Sequence, residues 1–115
     1  MGAVNPHAAV MKVMEIAEEQ GITGLKFAAV TGDSIDDSIE QYYDEEILEF
    51  KGKVADWKDQ IVSANVYMGA EGIIEALRNG ADVIITGRVA DPTLTLAPLR
   101  YEYGWTSNDA DKMGQ

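Results

Sequence analysis

The chain has 115 residues, no cysteine and a net charge of −11, with nine Lys and Arg against 20 Asp and Glu. This length suits one domain, and the absence of cysteine excludes disulfides and thiolate metal sites. The negative charge argues against nucleic acid as a partner, and no apolar run approaches the roughly 20 residues of a membrane span. We therefore expect a cytoplasmic globular domain that binds neither nucleic acid nor membrane.

The first part of the chain has the pattern of a helix, a strand and a second helix. Asn5, followed by a proline, is typical of a helix start, and Gly21 is typical of a helix end. The apolar run over residues 25–31 predicts a strand that is buried on both faces. A turn at Asp33 follows it, and the apolar spacing over residues 35–47 predicts the second helix.

The segment after this turn is acidic. Residues 36–49 carry seven Asp and Glu and no Lys or Arg, which indicates a solvent-facing helix surface. The alternative is a divalent-metal patch, but neighbouring carboxylates on one helix rarely converge, and we expect no metal site. Residues 51–60 show no clear period and predict a loop, in which Trp57 serves as a lid or as an anchor onto a neighbouring surface.

The second part of the chain repeats the alternation of strand and helix. Residues 61–67 predict a strand, residues 70–77 a helix, and residues 82–86 (DVIIT) a further strand. This alternation predicts a three-layer α/β fold, with a parallel sheet of about three strands and helices on both faces. Residues 1–115 then form a single α/β domain. Residues 107–109 have the pattern of a helix start, but only six residues follow them. We therefore expect this domain to be a fragment of a larger domain.

Two Thr-Gly turns, TGD at residues 31–33 and TGR at residues 86–88, follow predicted strands. Ligands of parallel α/β sheets bind at the carboxyl ends of the strands, so these turns hold the candidate site. Asp33 either accepts turn hydrogen bonds or acts as a ligand or general base. Arg88 suits a carboxylate or phosphate, or else forms a salt bridge to Asp91, which is itself a candidate N-cap.

These considerations give two sets of candidate residues. The catalytic candidates are Asp33 and Asp91. The substrate-binding candidates are Asn5, Asn65, Thr86, Gly87 and Arg88. Asn65 lies in an apolar segment, where its amide needs partners and either bridges to the backbone or points at a ligand. Gly87 permits close approach of a ligand to the backbone.

Several common catalytic signatures are missing from the sequence. It has no Gly-x-Gly-x-x-Gly dinucleotide fingerprint and no phosphate loop ending in Gly-Lys-Ser/Thr. It also lacks the Gly-x-Ser-x-Gly elbow of serine hydrolases. The sequence therefore argues against nucleotide chemistry and serine hydrolysis, and the cofactor, if any, stays unknown.

The run SANVYMGAEGIIEALRNGADVIITGRVADPTLTLAPLRYEYGW, residues 63–105, resembles the signature region of the acyclic terpene utilisation proteins. VNPHA (residues 4–8) matches part of that family's Gly-Gly-x-Asn-Pro region, and TGDSI (residues 31–35) is similar to its Gly-Asp turn. The family has a long segment before this region and continues beyond it. The resemblance therefore implies an internal fragment of a longer protein.

The resemblance also implies a context, the catabolism of citronellol- or geraniol-type isoprenoids, whose intermediates travel as acyl-CoA thioesters. Our first hypothesis is part of an enzyme that binds or transforms an isoprenoid acid or its thioester. Arg88 would hold the anionic group, and Asp33 or Asp91 would handle protons. The alternatives are a non-catalytic interaction module of an acyl-CoA carboxylase-like assembly, and an inactive fragment.

A sheet of three strands has two open edges, which invite pairing with another chain. We therefore expect a homo-oligomer, or packing against further parts of the protein, together with a small anionic molecule as substrate.

Overall fold

The computed structural model of the chain describes residues 2–114, with the backbone alone at Ser107. Over these residues it contains four α-helices, two strands and three 3₁₀-helices. The helices and strands are α1 (Pro6–Glu19), β1 (Phe27–Val30), α2 (Glu71–Arg78), β2 (Val83–Thr86), α3 (Thr93–Tyr103) and α4 (Ala110–Met113). The 3₁₀-helices span Asp36–Tyr42, Val54–Gln60 and Ser107–Asp109.

Helix α1 begins and ends where its sequence predicts. The Asn5 Oδ1 atom accepts a hydrogen bond from the backbone N–H of Ala8 at 2.9 Å, which satisfies one of the free donors of the first turn. Pro6 occupies the first helical position, where its missing N–H costs nothing. Gly21 follows the helix with a φ of +69°, a conformation that glycine adopts without steric strain.

The sheet consists of β1 and β2, which pair in parallel. Phe27 lies opposite Val83, and Val30 lies opposite Thr86. The Asp82 side chain accepts a hydrogen bond from the backbone N–H of Lys26 at 2.8 Å, which links the residue before β2 to the residue before β1. The predicted strands within residues 25–31 and 82–86, and their parallel pairing, are confirmed. The predicted burial of the first strand on both faces is wrong, because all four residues of β1 are only partly buried. Helices α1 and α2 both contact these strands.

Residues 61–67 do not form the predicted second strand. They pass the turn after β1, where Ser34 and Asn65 form an isolated antiparallel bridge, and then meet the turn after β2 through a parallel bridge between Met68 and Val89. Val62 is 98% exposed and Val66 is 39% exposed, so these apolar side chains do not pack in the core. That strand prediction is wrong. We predicted a three-layer fold with about three strands. The described residues instead contain helices packed around a parallel sheet of two strands.

The predicted α-helix over residues 35–47 is replaced by the 3₁₀-helix Asp36–Tyr42 and a turn. Carboxylates four residues apart, such as Asp36 and Glu40, destabilise an α-helix by like-charge repulsion, and this segment has no cation to offset them. The following residues, predicted as a loop, contain a further 3₁₀-helix at Val54–Gln60.

The core lies where α2 and α3 meet the sheet. Four buried side chains form it, with Val30, Leu77 and Ile84 packed around them; the buried members are Ala70, Ile73, Ile74 and Ala97. Gly72 allows the close approach of α2 to β1, because a Cβ atom there would lie 2.6 Å from a Val30 methyl group. An ion pair of 2.8 Å between Arg100 and Glu71 also joins α3 to α2.

The described chain is flat and has a large surface for its mass. It measures 50 × 42 × 19 Å, and its radius of gyration is 17.5 Å, against about 13 Å for a compact domain of this length. Its accessible surface of 8445 Å² exceeds the roughly 6,200 Å² expected of a folded 12.5 kDa monomer. No helix within residues 2–114 is both long and apolar enough to cross a membrane.

Candidate functional site

The carboxylate of Asp33 joins three segments of the chain at the carboxyl end of the sheet. Asp33 follows β1 and is buried, with 6% of its surface exposed. Its Oδ2 atom accepts a hydrogen bond from the backbone N–H of Arg88 at 2.7 Å and another from the Asn65 side-chain amide at 2.9 Å. The Asp33 carbonyl also accepts from the backbone N–H of Val66 at 2.8 Å. One buried acidic residue therefore fixes the turn after β2 and the extended segment beside it.

Gly87 makes this arrangement sterically possible. A Cβ atom at this position would clash with the Asp33 carboxylate, because the carboxylate lies directly against the Gly87 α-carbon. The Gly87 N–H donates to the Val30 carbonyl at 2.9 Å, which continues the pairing of the two strands into the turn. The Gly87 carbonyl accepts from the N–H of Gly2 at 3.0 Å, and the Thr86 carbonyl accepts from the N–H of Ala3 at 3.1 Å. The segment before α1 is thus bound to the same turn.

The side chain of Arg88 lies on the ring of Tyr67. Its guanidinium carbon is 5.4 Å from the ring centroid, within the distance of a cation–π contact. Its Nη1 atom donates a hydrogen bond to the Tyr67 hydroxyl at 3.3 Å. The side chain is exposed, and its guanidinium forms no ion pair within residues 2–114. Arg88 therefore presents a positive charge that no carboxylate of the described chain neutralises.

The group of Asp33, Asn65, Tyr67, Gly87 and Arg88 is called the Arg88 site below. A guanidinium offers paired N–H donors to a carboxylate or phosphate, and here an aromatic ring and a locked backbone hold it in place. The observed contacts of Asp33 are those of a residue that positions the turn. No three His, Asp or Glu side chains among the described residues converge to hold a metal ion.

The sequence model of the family described as "Acyclic terpene utilisation family protein AtuA" matches residues 1–115, the whole chain. The chain belongs to the acyclic terpene utilisation family. Its membership points to a role in acyclic terpene utilisation and confirms the resemblance noted in the sequence. No curated protein and no solved structure matches this AtuA-family chain.

Four of the seven residues that the sequence singled out lie together in this AtuA-family protein. They are Asp33, Asn65, Gly87 and Arg88. The Asn65 amide binds a side chain, the Asp33 carboxylate, where backbone or ligand was expected. The grouping of Asp33, Gly87 and Arg88 follows from the parallel pairing of β1 and β2, which brings the two Thr-Gly turns to one edge. Asn65 joins them through its bridge to Ser34.

Thr86 lies next to this group but has different surroundings. It is buried, and its hydroxyl has no hydrogen-bond partner within residues 2–114. Its side chain lines a cavity of about 220 Å³ between β2, α2 and α3, together with apolar residues that include Ile84 and Leu94. A buried hydroxyl without a hydrogen-bond partner lowers the stability of the folded protein, because it loses its hydrogen bonds to water.

Asn5 and Asp91 make no hydrogen bond to the Arg88 site within the described residues. The Asn5 side chain accepts from Ala8 and caps α1. Asp91 is exposed and makes neither the predicted cap nor the alternative salt bridge to Arg88 within residues 2–114. The N-cap of α3 is instead Pro92, because its carbonyl accepts the first helical hydrogen bonds, from Thr95 and Leu96. That cap prediction is wrong, and a catalytic role of Asp91 stays a prediction.

The sequence analysis missed Tyr67 as a member of the site. The sequence could have predicted this position. Tyr67 is two residues after Asn65, and alternate residues of an extended segment point to the same side. An amide and a phenol on one side of an otherwise apolar segment indicate a polar surface on that side. The contact with Arg88 follows from the bridge at Met68, which sets this segment beside the turn after β2.

Proposed function

We propose that the Arg88 site binds the anionic group of an isoprenoid acid or of its acyl-CoA thioester. The observation that carries this proposal is the state of Arg88, whose exposed guanidinium rests on Tyr67 and has no carboxylate partner within residues 2–114. A structural arginine would instead be expected to pair with a nearby acid, and Asp91 was the nearest candidate in sequence. Family membership supports the isoprenoid part of the proposal.

The charge of the whole molecule supports the same proposal. The chain carries −11, so it repels an acidic ligand on average and must attract one locally. Arg88 supplies such a local charge at the end of the sheet where α/β proteins bind ligands. Asp33 fixes the backbone of Arg88, so less conformational freedom is lost when a ligand binds.

Each residue of the site has a distinct part in the proposed binding. Arg88 donates to the anion, and Tyr67 orients the guanidinium. Asp33, Asn65 and Gly87 hold the turn in its conformation. Proton transfer would require a ligand atom to reach the second carboxylate oxygen of Asp33, which accepts no hydrogen bond within the described residues.

The test compares charged and uncharged ligands that share the same isoprenoid chain. Geranic acid and its CoA thioester are titrated into the protein, with the uncharged alcohol geraniol as the matched control. The proposal predicts that the acid and the thioester bind more tightly than the alcohol, and that Arg88→Lys loses part of this preference because a paired donor is lost. Equal binding of acid and alcohol would contradict it.

The large surface favours a second candidate, a non-catalytic interaction module. The excess of roughly 2,000 Å² over a compact monomer is more than twice the roughly 800 Å² that one partner buries in a standard protein interface. Self-association, or packing against further parts of the protein, belongs to this candidate, since β1 pairs only with β2 within residues 2–114 and its other edge is open there. Sedimentation over a range of concentrations tests self-association. A protein that binds none of the isoprenoid ligands but assembles with a partner would favour the module.

A further inference from the structure

A second surface is formed by residues 36–62, which lie between Asp33 and Asn65 in the sequence and which we call the acidic arm. The two 3₁₀-helices Asp36–Tyr42 and Val54–Gln60 contact each other within it. Backbone hydrogen bonds from Val54 to Glu45 and from Ile47 to Gly52 close the loop between them. The arm is therefore a defined structure with a fixed set of surface side chains.

One part of the acidic arm exposes a group of large apolar side chains. A groove of about 260 Å³ is lined by Ile47, Phe50, Trp57, Gln60 and Ile61. The rings of Phe50 and Trp57 lie 6.2 Å apart and form one side of it. Phe50 is 66% exposed, and Leu48 beside it is 95% exposed. Aromatic side chains grouped in this way are typical of the centre of a protein interface.

The apolar groove lies within the most acidic part of the chain. Residues 36–62 contain nine Asp and Glu and three Lys, a net charge of −6 out of the −11 of the whole protein. One of the three lysines, Lys53, is already paired with Asp44 at 3.0 Å. An occupant of the groove therefore meets an apolar surface within a strongly negative field.

We propose that the acidic arm docks a basic amphipathic segment of another protein. An apolar side chain of that segment would enter the groove between Phe50 and Trp57, and its Lys and Arg residues would face the carboxylates of the arm. Charge selects this occupant. A second copy of the chain would bring another −11, and nucleic acid and anionic membranes would be repelled in the same way.

The test uses the fluorescence of Trp57, isolated by the variant Trp105→Phe, which removes the other tryptophan. The probe is a helix-forming peptide of Leu and Lys, and the matched control is the same peptide with Glu in place of Lys. We expect a saturable blue shift with the Lys peptide, weakening as salt is added, and no shift with the Glu peptide.

Two variants show whether the groove itself is the binding surface. Phe50→Ser should weaken binding of the Lys peptide by at least about tenfold, while its melting temperature stays near that of the parent because Phe50 is two-thirds exposed. Met11→Ser replaces an exposed apolar residue of α1 and should leave binding unchanged.

Several results would overturn the proposal. They are the absence of binding by the Lys peptide, equal binding of the Glu peptide, or equal losses in Phe50→Ser and Met11→Ser. Sedimentation provides a further check, because a dimer that Phe50→Ser dissociates would identify a second copy as the occupant and exclude the basic segment.

Discussion

The Asp33 carboxylate lies directly against the α-carbon of Gly87, in space that any other residue would fill with its Cβ atom. The same carboxylate binds the N–H of the next residue, Arg88. The acid after the first strand and the glycine after the second therefore depend on each other. This contact sets the direction of the turn that carries Arg88.

Gly87→Ala should lower the free energy of unfolding by about 1–3 kcal/mol, since a methyl group would force the Asp33 carboxylate from its hydrogen bonds. Urea denaturation measures this change. Gly114→Ala is the matched control, because its φ is −92° and a Cβ atom there would meet only the Ala110 carbonyl at 3.5 Å.

The two residues should also be coupled. Asp33→Ala removes the carboxylate atoms with which the methyl group of Gly87→Ala collides, so the double variant should lose less stability than the sum of the single losses. Additive losses would show that Gly87 is required for a reason other than Asp33.

Thr86→Val should raise stability by about 1 kcal/mol, because it replaces a buried hydroxyl that has no partner within the described residues with a methyl group of the same shape. The measurement is again urea denaturation. A loss of stability would show that the hydroxyl has a partner, such as a bound water. If Thr86 also contacts the ligand, as its sequence position predicts, affinity would fall while stability rises.

Stability in acid should depend on Glu71. The hydrogen bond from Arg100 is the main cause of a pKa of Glu71 below its usual value of 4.5, and backbone hydrogen bonds lower the pKa further. A lowered pKa in the folded state gives stability that is present above pH 4.5 and is lost as the pH falls through the folded-state value. Because Glu71 is largely exposed, the contribution is at most about 1 kcal/mol.

Glu71→Gln should therefore reduce the difference in stability between about pH 6 and about pH 3. Glu75→Gln is the control, since Glu75 is on the same helix and makes no ion pair within residues 2–114. If both variants have the parent's pH profile, the ion pair to Arg100 contributes nothing to stability.

The parts of the fold that the sequence predicted are those where local and long-range signals agree. The runs that became β1 and β2 are apolar and bounded by glycine or polar turns, and they pair in parallel as a half-buried sheet. The position of the site followed, because parallel strands bring the turns at Asp33 and Arg88 to one edge.

Other parts were not predictable from local pattern. Residues 61–67 alternate like a strand, but alternation does not show whether a buried face is available, and β1 and β2 pair directly without them. Asp91 before a proline has the pattern of a helix cap, yet the turn from Ala90 to Thr93 moves the helix start to Pro92. The contact between Tyr67 and Arg88 was also not predictable, because it depends on the position of residues 61–67 beside the turn after β2.

The dissociation constant of geranic acid for Arg88→Ala, measured by calorimetry beside the parent protein, tests the central claim most directly. We predict a loss of about tenfold in affinity, the lower end of the range for a hydrogen bond to a charged group, because Arg88 is exposed. The melting temperature should stay close to that of the parent, since the Arg88 backbone N–H that binds Asp33 is retained. An unchanged dissociation constant together with a lowered melting temperature would contradict the account and would make Arg88 a structural residue.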